Sequence, residues 1–511
     1  MRSRERRTAQ RAYGPTPLQE QPTLPDITQD AVVVVPGIMG SALYDRVDQR
    51  LVWGLRDPRA LWSPARSEPN PLRLDDADRE GAAVRLRPDG LLRVAGWMPL
   101  LKGLEPYREL TRAVGSVVAG PAALLEFAYD WRLSVTVNGR LLAREARRHL
   151  ETWRGTRAHD DARRVRADER PARLVFVAHS MGGLVTRAAL AHAPDLALDT
   201  RAVITVGTPF YGSVKAAQIL NGDRGAALPG GAPAWLLRRL AHLARGLPGV
   251  HDLLPAYRCV DEGDDARRLT AADVGALGGD PGLADEAARR WERLHGVPLP
   301  GHHAVVGVAQ PTPQAMSLSG GQVRPQYQAF EAHGDGELVR TADGMPARRA
   351  RHGDGTVYRD AATLGGPAVH SVPGQHGALV ANNAVLADIR AALTAPDEGL
   401  GPPMGDPHVG LDVPDAAAAN SRWWLRLVGE TALGSDVGLL VEDATTGRPV
   451  ARPLPQWRDD VLAAPVTLPE PGLYRVVADT GGAAPLTQLV LATDPDADAP
   501  GRSTTGAGEP A

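Results

Sequence analysis

Residues 173–190 read RLVFVAHSMGGLVTRAAL, and this stretch decides the fold. Its first half is a β-branched, apolar run that predicts a buried strand, and the apolar spacing after Gly183 predicts a helix that begins at once. Such a junction needs a sharp turn that lifts the Ser180 side chain above the sheet, at the N-terminus of the helix. Ala178 and Gly182, two residues to either side, are small enough for that turn. We therefore interpret Ser180 as a nucleophile rather than as part of a chance surface turn.

Composition limits the classes of protein that fit this chain. Its 511 residues include 57 basic and 60 acidic ones, so no strong overall charge attracts it to nucleic acid. Cys259 is the only cysteine, so no disulfide forms within the chain, as is usual in a reducing compartment. The polar N-terminus lacks the apolar core of a signal peptide, and no uninterrupted apolar run reaches the length of a membrane span. These features predict a cytoplasmic protein.

Residues 31–395 alternate between apolar runs and segments with helical spacing, which predicts a doubly wound, mostly parallel sheet. We expect helices over 141–153 and 378–393, a solvated loop over the charged segment 155–170, and a hairpin insertion after the fifth strand. The six predicted strands are 31–35, 124–129, 173–178, 202–206, 303–308 and 368–372.

Two segments are candidates for covering the site. Residues 216–300 contain no clear strand, and 235–245 predict a short amphipathic helix with a basic face, which is either a mobile lid over a lipid-binding site or a plain cap. The apolar cluster within 91–101 fits an acyl pocket, a lipid-surface contact or ordinary packing. We therefore expect any contact with a membrane surface to be transient and confined to these two segments.

The pattern changes near the C-terminus. We expect a disordered tail over 1–30, a Pro/Gly/Ala-rich linker over 396–420, a small antiparallel β-sandwich over 421–493, and a second disordered tail over 494–511. The sandwich is a candidate for binding a lipid, a glycan or another protein.

A serine nucleophile needs a base and an acid that orients the base. In the α/β-hydrolase fold they follow in the order Ser, Asp, His. Asp354, in a turn between two glycines, and His376, in the loop after the last strand, suit these positions. The alternatives are Asp335, in a similar turn without a strand just before it, and His370, which falls inside the strand pattern. We expect the His179 side chain to point away from Ser180.

An oxyanion needs backbone N–H donors beside the nucleophile. The glycine-bracketed loop after the first strand and the residue after the nucleophile supply them in this fold, which here predicts the amides of Ile38 and Met181. The sequence shows neither metal-ligand spacing nor a phosphate-binding lysine loop, so we predict no metal, nucleotide or other cofactor.

Several motifs along the chain match one known family. They are VPGIMGS at 35–41, YDWR at 129–132, the turn around Ser180, GTPFYGS at 207–213 with Lys215, and GDGTV at 353–357 followed by His376. On these residues the chain resembles the lecithin:cholesterol acyltransferase family, which includes lysosomal phospholipase A2 and phospholipid:diacylglycerol acyltransferases. The resemblance implies an α/β-hydrolase domain, a triad of Ser180, Asp354 and His376, a mobile lid, and fatty acyl esters of glycerolipids as acyl donors. Secreted members differ by having a signal peptide and lid disulfides, and many members have glycine at the position of Ala178.

Three functions remain open at this stage. The first is a serine acyl-ester hydrolase of the lipase or phospholipase A type that acts on glycerolipids. The second is an acyltransferase that passes the acyl group from a phospholipid to an alcohol. The third is an interaction protein in which the α/β body serves as a scaffold for the C-terminal β-sandwich.

Overall fold

A computed structural model describes most of the chain. Asp335, the predicted alternative acid, lies outside the described residues, as do most of the two predicted tails and residues 396–408 of the predicted linker. The described residues are 27–54, 71–74, 85–98, 102–165, 169–222, 234–333, 337–364, 369–395, 409–429, 437–458, 461–480 and 485–494.

A six-stranded parallel sheet forms the centre of the fold, in the order β6-β5-β4-β3-β1-β2. All six strands expected from the apolar runs are present, so the predicted doubly wound α/β sheet is confirmed. Fully buried parallel strands are apolar on both faces, and β1 and β3 are buried along their whole length. The strands are β1 Ala31–Val35, β2 Leu124–Glu126, β3 Leu174–His179, β4 Thr200–Val206, β5 His302–Val308 and β6 Val369–Pro373.

Helices follow most of these strands, and two of them differ from expectation. The charged segment predicted as a loop contains α3, whose N-terminus is capped by the side chain of Thr156. The single helix predicted over 378–393 is instead a 3₁₀ helix at His376–Ala381 followed by α11. The helices are α1 Arg108–Gly115, α2 Val135–Arg154, α3 Arg157–Arg164, α4 Met181–His192, α5 Pro194–Leu198, α6 Val214–Leu220, α7 Ala234–Ala244, α8 Pro248–His251, α9 Ala271–Ala276, α10 Pro281–His295 and α11 Asn383–Thr394, with further 3₁₀ helices at Pro121–Ala123 and Arg359–Ala362.

No helix among the described residues is both long enough and apolar enough to cross a membrane.

Further short strands form small sheets outside the central sheet. The predicted hairpin insertion contains the antiparallel pairs 315–319 with 322–326 and 329–330 with 348–349. Segment 216–300, predicted to lack strands, contains two short strands. Each has only two residues, which is too short to produce a periodic pattern in the sequence. These peripheral strands are Ser41–Asp45, Arg50–Trp53, Leu86–Leu91, Gly96–Met98, Lys102–Leu104, Val260–Asp261, Ala266–Arg267, Ala315–Ser319, Gln322–Gln326, Ala329–Phe330 and Arg348–Arg349.

The C-terminal region forms two further sheets, β7-β9-β13-β12 and β8-β15-β14-β10-β11, with an apolar cluster of their own. Strands β7 and β8 lie inside the segment predicted as a linker, and β8 pairs with β15 in parallel, so the region begins earlier than expected and is not wholly antiparallel. The strands are β7 Val409–Asp412, β8 Ala416–Ala418, β9 Arg422–Gly429, β10 Gly438–Asp443, β11 Pro449–Ala451, β12 Gln456–Arg458, β13 Val461–Thr467, β14 Gly472–Asp479 and β15 Leu486–Thr493.

The C-terminal sheets contact the α/β body beside the loop that carries His376. Arg475 of β14 donates two hydrogen bonds to the buried carboxylate of Glu105 and one to Glu442. The backbone N–H of Glu105 in turn donates to the carbonyl oxygen of Gly377 at 3.0 Å. The C-terminal region therefore supports the loop that carries the predicted base.

Candidate active site

Ser180 lies at a strained turn between β3 and α4. Its backbone has φ 53° and ψ −127°, a conformation that non-glycine residues rarely adopt. The backbone N–H of Ser180 donates to the carbonyl oxygen of Val206 at 2.8 Å, which ties the turn to the neighbouring strand. The predicted strand, turn and helix are all present, and the turn presents the serine hydroxyl at the carboxyl edge of the sheet.

Gly182 permits this turn to pack against the end of β1. A Cβ atom at Gly182 would lie 2.5 Å from the carbonyl oxygens of both Val35 and Pro36, well inside van der Waals contact. Both obstacles are backbone atoms, so they cannot move aside as a flexible side chain could. The requirement for a small residue two positions after Ser180 therefore has a direct steric cause.

The structure brings Ser180, His376 and Asp354 together, although they are far apart in sequence. His376 Nε2 lies 2.8 Å from Ser180 Oγ, and His376 Nδ1 lies 2.7 Å from Asp354 Oδ2. All three residues are buried. With Nδ1–H donated to the carboxylate, Nε2 is left as an acceptor for the serine proton, which is the arrangement that base-assisted nucleophilic attack requires.

The Asp354 carboxylate is held by its own turn. Its other oxygen, Oδ1, accepts the backbone N–H groups of Thr356 at 2.9 Å and Val357 at 2.7 Å. Gly355, between Asp354 and Thr356, has φ 85°, a left-handed conformation that glycine adopts without strain. The backbone N–H of His376 also donates to the carbonyl oxygen of Asp354 at 2.9 Å, which links the two loops.

His370, the alternative base, lies elsewhere. It is the second residue of β6, and its Nδ1 lies 2.8 Å from Asp388 Oδ1 on α11. Of the two candidate histidines, both within the described part of the chain, His376 contacts Ser180 and His370 does not.

The two predicted oxyanion donors are the backbone amides of Met181 and Ile38. Met181 begins α4 directly after the serine, and Ile38 lies on the wall of the cavity into which Ser180 opens. The loop around Ile38 is closed by a hydrogen bond from the Gly40 N–H to the Gly37 carbonyl oxygen, 3.0 Å long, and Met39 has φ 64°. The role of the two amides as donors remains a prediction.

Tyr107 and His179 form a contact that the sequence did not reveal. The Tyr107 hydroxyl accepts the Gly37 N–H at 2.8 Å and lies 2.7 Å from His179 Nδ1, while His179 Nε2 lies 3.2 Å from the carbonyl oxygen of His376. A carbonyl oxygen only accepts, so Nε2 carries the proton and Nδ1 accepts from the tyrosine. The His179 ring therefore connects the loop of Gly37 to the loop of His376. That its side chain points away from Ser180 stays a prediction.

The burial of His179 has a consequence for stability. Burial, with a smaller contribution from neighbouring His376, lowers the pKa of His179 to about 3. The group ordinarily titrates near about 6.5, so between these values the unfolded chain binds a proton that the folded chain does not. The free energy of unfolding should therefore fall as the pH drops below about 6.5, with His179 contributing up to about 1.4 kcal/mol per pH unit.

Urea unfolding of the wild type and of His179→Gln, at several pH values between 6.5 and 4, measures this slope. We expect a shallower slope for the variant, whatever constant offset the lost contacts with Tyr107 and His376 introduce. Parallel curves for the two proteins would show that His179 does not set the acid sensitivity.

An apolar cavity opens beside Ser180, which forms part of its wall. The predicted amphipathic helix exists as α7, and its buried residues Leu240, Leu243 and Ala244 line one wall. From the apolar cluster predicted near 91–101, Leu91 and Leu92 pack in the core of the body, and residues 99–101 lie outside the described residues. The remaining lining includes Ile38, Met39, Trp53, Gly103, Leu104, Trp131, Pro209, Ser213, Lys215, Ala216, Ile219, Leu247, Val250, Leu253, Val357 and Gly377.

Comparison with known proteins gives one family match. The family model described as lecithin:cholesterol acyltransferase matches residues 77–227, which include Ser180 and the turn around it. This match supports acyl-ester hydrolase or acyltransferase chemistry in general. Among curated proteins, none matches the sequence of this chain.

Two solved structures are similar at low scores. The crystal structure of a Tle4–Tli4 complex aligns at 13% identity and a TM-score of 0.37, covering 71% of this chain and 96% of that one. The lipase BlEst2 of Bacillus licheniformis in its propeptide form aligns at 13% identity and a TM-score of 0.30, covering 93% and 77%. The resemblance to the lecithin:cholesterol acyltransferase family, expected from the sequence motifs, is confirmed by the family model over residues 77–227.

Proposed function

We propose that this chain is a serine acyl-ester hydrolase that cleaves fatty acyl esters of glycerolipids. Ser180 Oγ attacks the ester carbonyl carbon while His376 Nε2 takes the hydroxyl proton, and Asp354 stabilises the resulting imidazolium. The amides of Ile38 and Met181 hold the oxyanion. When the ester C–O bond breaks, His376 returns the proton to the leaving alcohol. Water then attacks the acyl-enzyme by the same route and releases the fatty acid and free Ser180.

One observation supports this proposal above the others. The hydrogen-bonded series Asp354–His376–Ser180 has donor–acceptor distances of 2.7 and 2.8 Å, and it ends at the wall of an apolar cavity. The mostly apolar walls of this cavity favour the burial of a hydrocarbon chain, and the Ser180 and His376 side chains on its wall favour an ester group beside the serine. Leu240 and Leu243 of the lid candidate α7 extend that apolar wall.

The same chemistry becomes acyl transfer when an alcohol replaces water in the second step. The family match, whose description names an acyltransferase, favours this as the second candidate. Membrane association is proposed only as a transient surface contact through α7, where Arg238 is exposed. A cytoplasmic location remains a prediction, as does the binding of a protein or glycan by the C-terminal sheets.

Labelling with a fluorophosphonate tests the nucleophile directly. We expect covalent labelling of the wild type and none of Ser180→Ala. Ser213→Ala is the matched control, since Ser213 lies on the wall of the same cavity and its hydroxyl donates instead to the carbonyl oxygen of Thr356. Labelling that survives in Ser180→Ala, or an unlabelled wild type, would contradict the proposal, and the second result would favour the scaffold hypothesis.

Product analysis then separates hydrolysis from transfer. The wild type is incubated with vesicles of an acyl-labelled phosphatidylcholine, with and without a long-chain alcohol. Free fatty acid as the main product in both mixtures is the expected result. A new alkyl ester that forms at the expense of fatty acid would replace the hydrolase by the acyltransferase.

A further inference from the structure

A second cluster of chemically capable side chains lies away from Ser180. It consists of His303 on β5, His370 on β6 and Asp388 on α11. One ligand atom from each residue lies within 4.8 Å of the others. Both histidines are buried, and Asp388 is partly exposed.

The fold brings these residues together through strand register. Val305 pairs with His370 across the parallel strands β5 and β6. His303 is two residues before Val305, so its side chain points to the same face of the sheet as Val305 and His370. Helix α11 buries Val385 and Ile389 in the core, and Asp388, next to Ile389, faces the two histidines.

The contacts converge on one carboxylate. His303 Nε2 lies 2.6 Å from Asp388 Oδ2, and His370 Nδ1 lies 2.8 Å from Asp388 Oδ1. Although it is so near, His370 Nδ1 has no hydrogen-bond partner of acceptable geometry among the described residues, and neither has His303 Nδ1. A buried ring nitrogen without a well-aligned partner is unfavourable, so the arrangement leaves a place for a further partner.

We propose that His303, His370 and Asp388 bind a divalent transition-metal ion, with zinc as the best match. Two imidazole nitrogens and a carboxylate with a fourth position open to water are a common zinc ligand set, whereas magnesium and calcium prefer oxygen ligands alone. Tetrahedral zinc with ligands at about 2.1 Å separates them by about 3.4 Å. The two histidine–carboxylate separations, 2.6 and 2.8 Å, therefore need to open by less than about 1 Å. The partial exposure of Asp388 gives the ion a path from solvent.

The site lies at the opposite end of β5 and β6 from Asp354 and His376. It links these two strands to α11, the helix that follows the His376 loop. The bound ion therefore stabilises the packing of α11 against β5 and β6, and it takes no part in ester cleavage at Ser180. Sequence spacing gave no hint of it, because the three residues are spread over positions 303 to 388.

Metal content tests this proposal without any activity measurement. The full-length wild type is stripped with a chelator, reloaded with Zn²⁺, passed through gel filtration and analysed by mass spectrometry for metal. We expect about one zinc per chain in the wild type and in His376→Ala, which excludes binding through the histidine beside Ser180. The ligand variants Asp388→Asn and His370→Gln should each bind zinc more than about 100-fold more weakly.

His302→Gln is the matched control. His302 is adjacent to His303 in sequence, but its side chain points to the other face of the sheet, where its Nε2 lies 2.9 Å from Thr205 Oγ1 of β4. It should retain zinc, and Co²⁺ loading should give the visible absorption of a tetrahedral site in the wild type and in this control. A stripped wild type that takes up no zinc, or equal uptake by Asp388→Asn when circular dichroism shows it folded, would overturn the proposal.

Discussion

Turnover of a short-chain acyl ester should fall by at least about 10⁴-fold in Ser180→Ala, because the variant has no nucleophile to form the acyl-enzyme. His376→Ala should lose a similar factor, since the serine hydroxyl then has no base within reach. Because the two groups act in one step, the double variant should be no slower than either single variant. Steady-state kinetics of the three proteins, with circular dichroism to verify folding, measure this expectation.

Asp354→Asn provides a graded test of the same mechanism. The amide cannot stabilise the imidazolium, and we expect a loss of about 10³–10⁴-fold. Asp360→Asn is its control, because Asp360 lies in the same segment but is exposed, 3.5 Å from Arg351. Losses that multiply in the double variant Ser180→Ala/His376→Ala, or full activity in Asp354→Asn, would show that these residues do not act together as the proposed mechanism requires.

Much of the α/β body could be predicted because its signals are local. A parallel strand buried on both faces has a continuous apolar sequence, as in β1. The small residues around Ser180 likewise indicate a tight turn directly from the sequence. Asp354 stood out for the same reason, since the glycines around it permit the turn that its carboxylate caps. The Thr156 cap of α3 was an equally local signal, but the surrounding charges led to the prediction of a loop.

The remaining features depend on contacts between distant residues. Tyr107 reaches His179 from 72 positions away, and nothing in the sequence around Tyr107 indicates such a contact. His303, His370 and Asp388 meet only because β5 and β6 are adjacent and α11 packs across them. Strands β7 and β8 are short, and they lie in a Pro-, Gly- and Ala-rich sequence that is typical of a linker. Only the pairing of β7 with β9 and of β8 with β15 identifies them as strands.

The ion pair between Arg475 and Glu105 should be the most important polar contact between the C-terminal sheets and the body. Although burial opposes it, hydrogen bonding to Glu105 and Glu442 raises the pKa of Arg475. The side chain of Glu105 is only 4% exposed. Arg475→Met leaves this buried carboxylate without a counter-charge, and we expect the free energy of unfolding to fall by about 3–5 kcal/mol.

Chemical denaturation measures this change, and two further variants make it specific. Arg112→Met removes an arginine from the exposed pair with Glu109 and should alter stability little. The double variant Glu105→Leu/Arg475→Met removes both charges and should recover most of the loss, because the main penalty comes from the unpaired carboxylate. Equal effects of Arg475→Met and Arg112→Met would mean that the buried pair is not what fastens β14 to the body. The Glu105 N–H also donates to the carbonyl oxygen of Gly377, next to His376. Loss of the Arg475–Glu105 ion pair should therefore lower ester turnover as well as the free energy of unfolding.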